Sequence, residues 1–163
     1  MIIIASIFSS VFGCKAQNKT PIYPKESFSV VKGELSNGKS LFGSINMSYK
    51  NYDKKNDYPW CLEINIVLNL DSLYENGLPH KSESDVVNKF EDDLVDNLKK
   101  VVTVHYIGHM YNDSFLDVYI YLDNPDKAND YLKQEVNKVG IIRGFAYKIK
   151  KDPDWSTAQP FFK

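Results

Sequence analysis

Three residues combine a chemically active type with a spacing that could bring them together: His105, His109 and Asp117. Alternating hydrophobicity places them on two neighbouring β-strands, 101–109 and 114–122. An imidazole beside a carboxylate can pass a proton, and imidazole and carboxylate are both zinc ligands. Four residues apart on one strand, however, the two histidines stand about 13 Å apart at ~3.3 Å per residue, too far to share an ion. What remains is one histidine facing Asp117 across a hairpin, an acid and base pair with no nucleophile at recognisable spacing. The other acidic cluster, Glu91, Asp92, Asp93 and Asp96, falls on the wet side of an amphipathic helix. No catalytic residue, metal site or cofactor is expected, and the chain is expected not to be an enzyme.

The elements that position these residues follow from hydrophobic period. Residues 60–70 place Trp60, Leu62, Ile64, Ile66, Leu68 and Leu70 on one face, with Glu63, Asn65 and Val67 on the other. A helix follows, opened by Ser82 or Ser84, with Val86, Phe90, Leu94 and Leu98 every four residues. In the next two strands Val102, Val104, Tyr106 and Gly108 pair inward with Leu116, Val118, Ile120 and Leu122. Inward-to-inward pairing demands an odd residue, assigned to a three-residue loop, Tyr111-Asn112-Asp113. That loop sets His105 opposite Tyr119 and His109 opposite Phe115. Asn124-Pro125 starts a second helix that stops at Gly140, and residues 141–150 form the last strand. Upstream, Asn37-Gly38 turns a hairpin of residues 28–35 and 41–49.

Strand, helix, strand, strand, helix, strand implies an α+β, ferredoxin-like βαββαβ sandwich: an antiparallel sheet ordered 4-1-3-2, both helices on one face, with an N-terminal β-hairpin extension. The hairpin can lengthen the sheet at an edge or fold over its second face. That second face is the candidate binding face, carrying Glu63, His105, Phe115, Asp117, Tyr119 and Tyr121.

The chain has 163 residues, 43% hydrophobic and 25% charged, with net charge −1, which suits one domain with a core of its own. No basic field exists to hold a polyanion, so nucleic acid is not an expected partner. The first 13 residues carry no charged side chain. As a helix they would reach about 20 Å, against a hydrocarbon core of ~30 Å, and they fit the apolar part of an export signal. Val11-Phe12-Gly13-Cys14 resembles a lipobox, in which the cysteine after the cut receives lipid. The expected organisation is a signal peptide over 1–13, a tether over 14–26 and one α+β domain over 27–163. The alternatives for the N-terminus are an ordinary buried strand and, for Cys14, a disulfide to Cys61.

Tyr58-Pro59-Trp60, Gly77-Leu78-Pro79 and Asp152-Pro153-Asp154-Trp155 resemble the landmarks of a bacterial family, domain of unknown function 695. The similarity covers residues 27–163, and the Asp-Pro-Asp-Trp ending is its most specific part. It implies a fold and a bacterial context but no reaction. Some relatives are similar to, or joined with, a protein regulator of ribonuclease E activity. Pro59, Trp60, Gly77, Pro79, Asp152, Pro153, Asp154 and Trp155 are read as structural. The expected function is a lipid-anchored cell-envelope module, held to the membrane through Cys14, that binds an envelope protein or small ligand. The alternatives are an enzyme using a His/Asp pair on the open face and a ribonuclease-regulator-like inhibitor.

Overall fold

The computed structural model describes residues 23–163. Its elements are β1 (Phe28–Glu34), β2 (Ser40–Asn46), β3 (Trp60–Val67), α1 (Lys81–Leu98), β4 (Val104–Asn112), β5 (Phe115–Leu122), α2 (Pro125–Val136) and β6 (Phe145–Lys151). All paired strands are antiparallel, in the order β1-β2-β4-β5-β3-β6. Over the described residues the chain is thus an α+β protein with two α-helices and a six-stranded antiparallel sheet. The N-terminal hairpin lengthens the sheet by pairing β2 with β4.

Alternation along β3 and β5 turns Leu62, Ile64, Ile66, Val118, Ile120 and Leu122 toward the helices. They meet Val87, Leu94 and Leu98 of α1 and Ala128 and Leu132 of α2 in one cluster, so both helices lie on the same face. Each fully buried large aliphatic chain contributes about 1.5–3 kcal/mol, and this cluster dominates the stability. The ion pairs Lys81–Asp85 and Lys89–Asp93 on the exposed side of α1 add only tenths.

The start of α2 is set by Asn124, whose side chain accepts the Lys127 N–H at 3.1 Å, with Pro125 at the first helical position. Asn124→Ala is expected to cost about 1 kcal/mol in urea unfolding. A change below ~0.3 kcal/mol would show that solvent replaces the cap without penalty.

Strand β4 departs from simple alternation. His105 pairs with Tyr121 and Tyr106 with Ile120, but the next partners are Gly108 with Tyr119 and His109 with Val118, leaving Ile107 as a β-bulge. The odd residue that inward pairing demands therefore lies inside the strand, not in the loop. The turn is the two-residue Asp113-Ser114, both at positive φ (26° and 82°), which suits a tight hairpin. The expected pairings are corrected accordingly: His105 faces Tyr121 rather than Tyr119, and Asn112 rather than His109 faces Phe115. Past the bulge every side chain changes face, and His109 turns toward α1. Glycine is required at 108, where φ is +147° and a Cβ would run into the Ser44 carbonyl.

The second face of the sheet is covered in large part by two irregular segments. Residues 47–59 and the tail after β6 bring Tyr49, Tyr52, Tyr58, Trp155, Ala158 and Phe162 against Ile45, Cys61, Ile107, Met110 and Tyr121. The chain is a three-layer structure over this half of the sheet: helices, strands, then an aromatic-rich coat.

Candidate functional site

That coat removes two residues from the expected binding face. His105 is 0% exposed, ringed by Tyr23, Tyr49, Tyr52, Tyr58 and Trp155, with the Tyr58 ring centroid at 3.9 Å. Its Nδ1 lies 3.3 Å from the Tyr49 hydroxyl. Burial lowers its pKa to about 4, against a small opposing pull from Asp123. Tyr23, expected in the tether, packs on this imidazole.

Tyr121 is buried too, stacked on Trp155 at 4.1 Å and 8° between planes. Its hydroxyl donates to Asp152 at 2.6 Å. The Asp152 carboxylate also accepts from the backbone N–H and hydroxyl of both Ser156 and Thr157. Burial works to raise its pKa, but these donors outweigh it and hold the carboxyl well below the usual range. Asp152 is thus the cap that folds the tail back. Cys61, under the same coat, is a free buried thiol pushed up to about 11 by burial, which leaves it unreactive.

Four of the expected residues keep some exposure. Glu63, Asp117 and Tyr119 line a depression of about 270 Å³ together with Asn65, Ala146 and Lys148, contributed by β3, β5 and β6. Asp117 accepts hydrogen bonds from the amides of Asn65 and Asn112, and Glu63 pairs with Lys150 at 2.6 Å. The Tyr119 ring rests on Phe161 at 4.8 Å between centroids, which ties this wall to the tail. Phe115 stands at the strand end opposite Val67. Two carboxylates, one amide and one lysine line the depression without a histidine, so the floor offers hydrogen bonds and charge rather than proton transfer.

The histidine expected beside this face is on the other one. His109 Nδ1 lies 2.7 Å from Oε2 of Glu91, whose Oε1 accepts the Tyr106 hydroxyl at 2.6 Å. Glu91, read as a wet helix residue, is only 3% exposed. A signal for this does exist: Val87, Glu91 and Val95 recur every four residues in the stripe that also holds Leu94 and Leu98. Next to the pair, Asp92 has its pKa raised by burial and by the Glu91 and Asp96 charges. Ser44 aligns with His109 on β2. The pair is an imidazole oriented by a buried carboxylate.

Among the described residues, no group of three or more His, Cys, Asp or Glu side chains is placed to hold a metal ion, and no helix is long and apolar enough to cross a membrane. Cys14 lies outside the described residues.

The landmark motifs meet in space. The Asp152 N–H donates to the Pro59 carbonyl at 2.7 Å, and Trp155 Nε1 donates to the Tyr58 carbonyl at 3.0 Å. Residues 33–162 match the model of a family described as "Family of unknown function (DUF695)". The chain belongs to that family. No curated protein and no solved structure matches it. In this DUF695 chain the first and last landmarks form one clamp, with Trp60 packed at the helix-side core and Pro153 and Asp154 exposed on the clamp's turn. Gly77 has φ +84° and lies against the Asp113 turn, while Pro79 bridges to Leu73.

Proposed function

We propose that this DUF695 protein is a lipid-anchored module of the bacterial cell envelope that binds a protein or a small polar ligand without transforming it. One observation carries the binding half of this reading: the aromatic coat closes the second sheet face over β4 and the end of β5, but leaves the polar depression around Glu63, Asp117 and Lys148 uncovered. Convergent polar groups at a concave surface are the usual signature of recognition. The strand order β6-β3-β5-β4, with both helices on one face, supports reading β3 to β6 as a ferredoxin-like unit. Anchoring rests on the lipobox-like Val11-Phe12-Gly13-Cys14.

His105 aligns with Tyr121 while Asp117 aligns with Met110, five residues further along β4, which favours the binding reading over an enzyme using a His/Asp pair. A regulator of a cytoplasmic nuclease is hard to reconcile with export.

Two measurements test the proposal. Mass spectrometry of membrane-extracted protein should find lipid on Cys14; an unmodified Met1 start would remove the anchor. Lys148→Glu, at an exposed position, should leave the melting temperature unchanged while lowering recovery of the bound partner or ligand at least tenfold. Equal recovery by both proteins would count against the depression.

A further inference from the structure

The depression left open on the second sheet face holds two charges that no neighbour neutralises, and strand register fixes where they stand. On the outward side of β3, Glu63 and Asn65 follow one another, with Lys148 and Ala146 opposite them on β6 and Tyr119 and Asp117 opposite them on β5. Ala146 is the small residue of this grid and leaves room beside Asn65. Tyr119, backed by Phe161 of the tail, bounds the space on the β5 side.

The charged groups of the depression are not equivalent. Glu63 pairs with Lys150 at 2.6 Å, which cancels its charge. Asp117 is held by the amides of Asn65 and Asn112, both neutral, so its charge remains. Lys148 is exposed and makes no ion pair among the described residues, so its charge remains too. Asn65 gives one amide hydrogen to Asp117 and keeps its second hydrogen and its carbonyl oxygen for another partner. The site thus offers one anionic point, one cationic point and an amide between them. Two strand intervals and a two-residue step set the Cα atoms of Asp117 and Lys148 about 12 Å apart, a gap that the long lysine chain can partly close.

We infer, building on the depression as the binding site proposed above, that its ligand is a small zwitterion of amino-acid or dipeptide size, with its ammonium on Asp117 and its carboxylate on Lys148. The volume of about 270 Å³ lies just below the range that holds drug-sized molecules. Other ligand classes fit worse. A divalent cation would meet Lys148 and find one uncommitted carboxylate, and a polyanion would meet both Asp117 and Glu63. A neutral ligand such as a sugar would desolvate Asp117 and Lys148 without giving either a counter-charge. A zwitterion supplies both counter-charges at once, while the Asn65 carbonyl accepts from its ammonium and the free amide hydrogen donates to its carbonyl or carboxylate oxygen.

The test uses the full chain extracted in mild detergent, with glycine, glycylglycine and the N-acetyl and C-terminal amide forms of each as probes, and glucose as the neutral control. Nuclear magnetic resonance titration should show saturable shifts at the Asn65 side-chain amide and the Ala146 N–H with at least one of the two zwitterions. Acetylation and amidation of that probe should each weaken binding at least tenfold, because each removes a charge-assisted hydrogen bond. Lys148→Met should erase the penalty for amidation and keep that for acetylation, and Asp117→Asn should do the reverse, with circular dichroism melts unchanged in both variants. Equal binding of free and capped probes, glucose binding as tightly as the zwitterion, or capping penalties that persist in both variants would overturn the inference and leave the depression a binding site. Absence of any shift with every probe would overturn it as well; recovery of a partner that depends on Lys148 would then preserve the wider reading, and its failure would end both.

Discussion

Trp155→Ala is expected to lower the unfolding free energy by about 3–5 kcal/mol, the range for removing a large aromatic from a closed core. Trp155 is fully buried, stacked on Tyr121 and bonded through Nε1 to the Tyr58 carbonyl. Its loss opens a cavity and also leaves that carbonyl without its donor, so the penalties add. The residue holds φ at +55°, a left-handed conformation that costs a bulky side chain about 1–3 kcal/mol. The Asp152 cap, with its five hydrogen bonds to residues 121, 156 and 157, is what over-determines that conformation. Urea unfolding at fixed pH measures the loss, and the slope should stay constant if only the folded state changes. Asp154→Ala, on the same turn but exposed, should stay within ~0.5 kcal/mol. A Trp155→Ala loss below about 1 kcal/mol would mean that the tail is an appendage and that the second sheet face is open in solution.

The difference between these two readings of the second face shows what alternation can convey. Period two along residues 60–67 and 115–122 divides inward from outward side chains, and Leu62, Ile64, Val118 and Ile120 lie where the pattern puts them. It says nothing of what later covers the outward set. Tyr52, Tyr58 and Phe162 lie in segments without a regular period, so only their composition hinted at burial, whereas Tyr49 ends the alternating arm 41–49 and Trp155 closes the Asp-Pro-Asp-Trp landmark. The bulge at Ile107 was hidden for a related reason: parity counting demands one odd residue between two strands but cannot say whether loop or strand holds it. Gly108 was the local sign, since glycine inside a strand often marks a bulge. Glu91 was misjudged by its type, although its position in the apolar stripe was legible. Within the proposed site, Glu63, Asn65, Asp117 and Tyr119 were placed by alternation alone, whereas Lys148 joined them through the β3 and β6 pairing.

His105 makes the burial of that face measurable through pH. In the folded protein, desolvation lowers its pKa to about 4, while in the unfolded chain it titrates near ~6.5. The unfolded state therefore binds a proton that the native state refuses between these values, and stability must rise with pH across that window. The contribution is complete above pH 6.5, falls by ~1.4 kcal/mol per pH unit below it, and levels off under pH 4 after a loss of about 3 kcal/mol. Asp152 and Glu83, whose pKa values are lowered in the folded state, lose their own contributions only as pH falls below the ordinary carboxylate range. His105→Leu keeps a similar volume and cannot titrate. Its unfolding free energy, from urea titrations at pH 7.5, 6.5, 5.5 and 4.5, should lack the His105 slope, so that the gap to the unsubstituted protein narrows or reverses by about 2.5 kcal/mol on acidification. The gap at pH 7.5 reports the lost contact with the Tyr49 hydroxyl, and only its change with pH reports the buried imidazole. Parallel pH curves for the two proteins would place His105 in water, and with it the face that residues 47–59 and the C-terminal tail are described as closing.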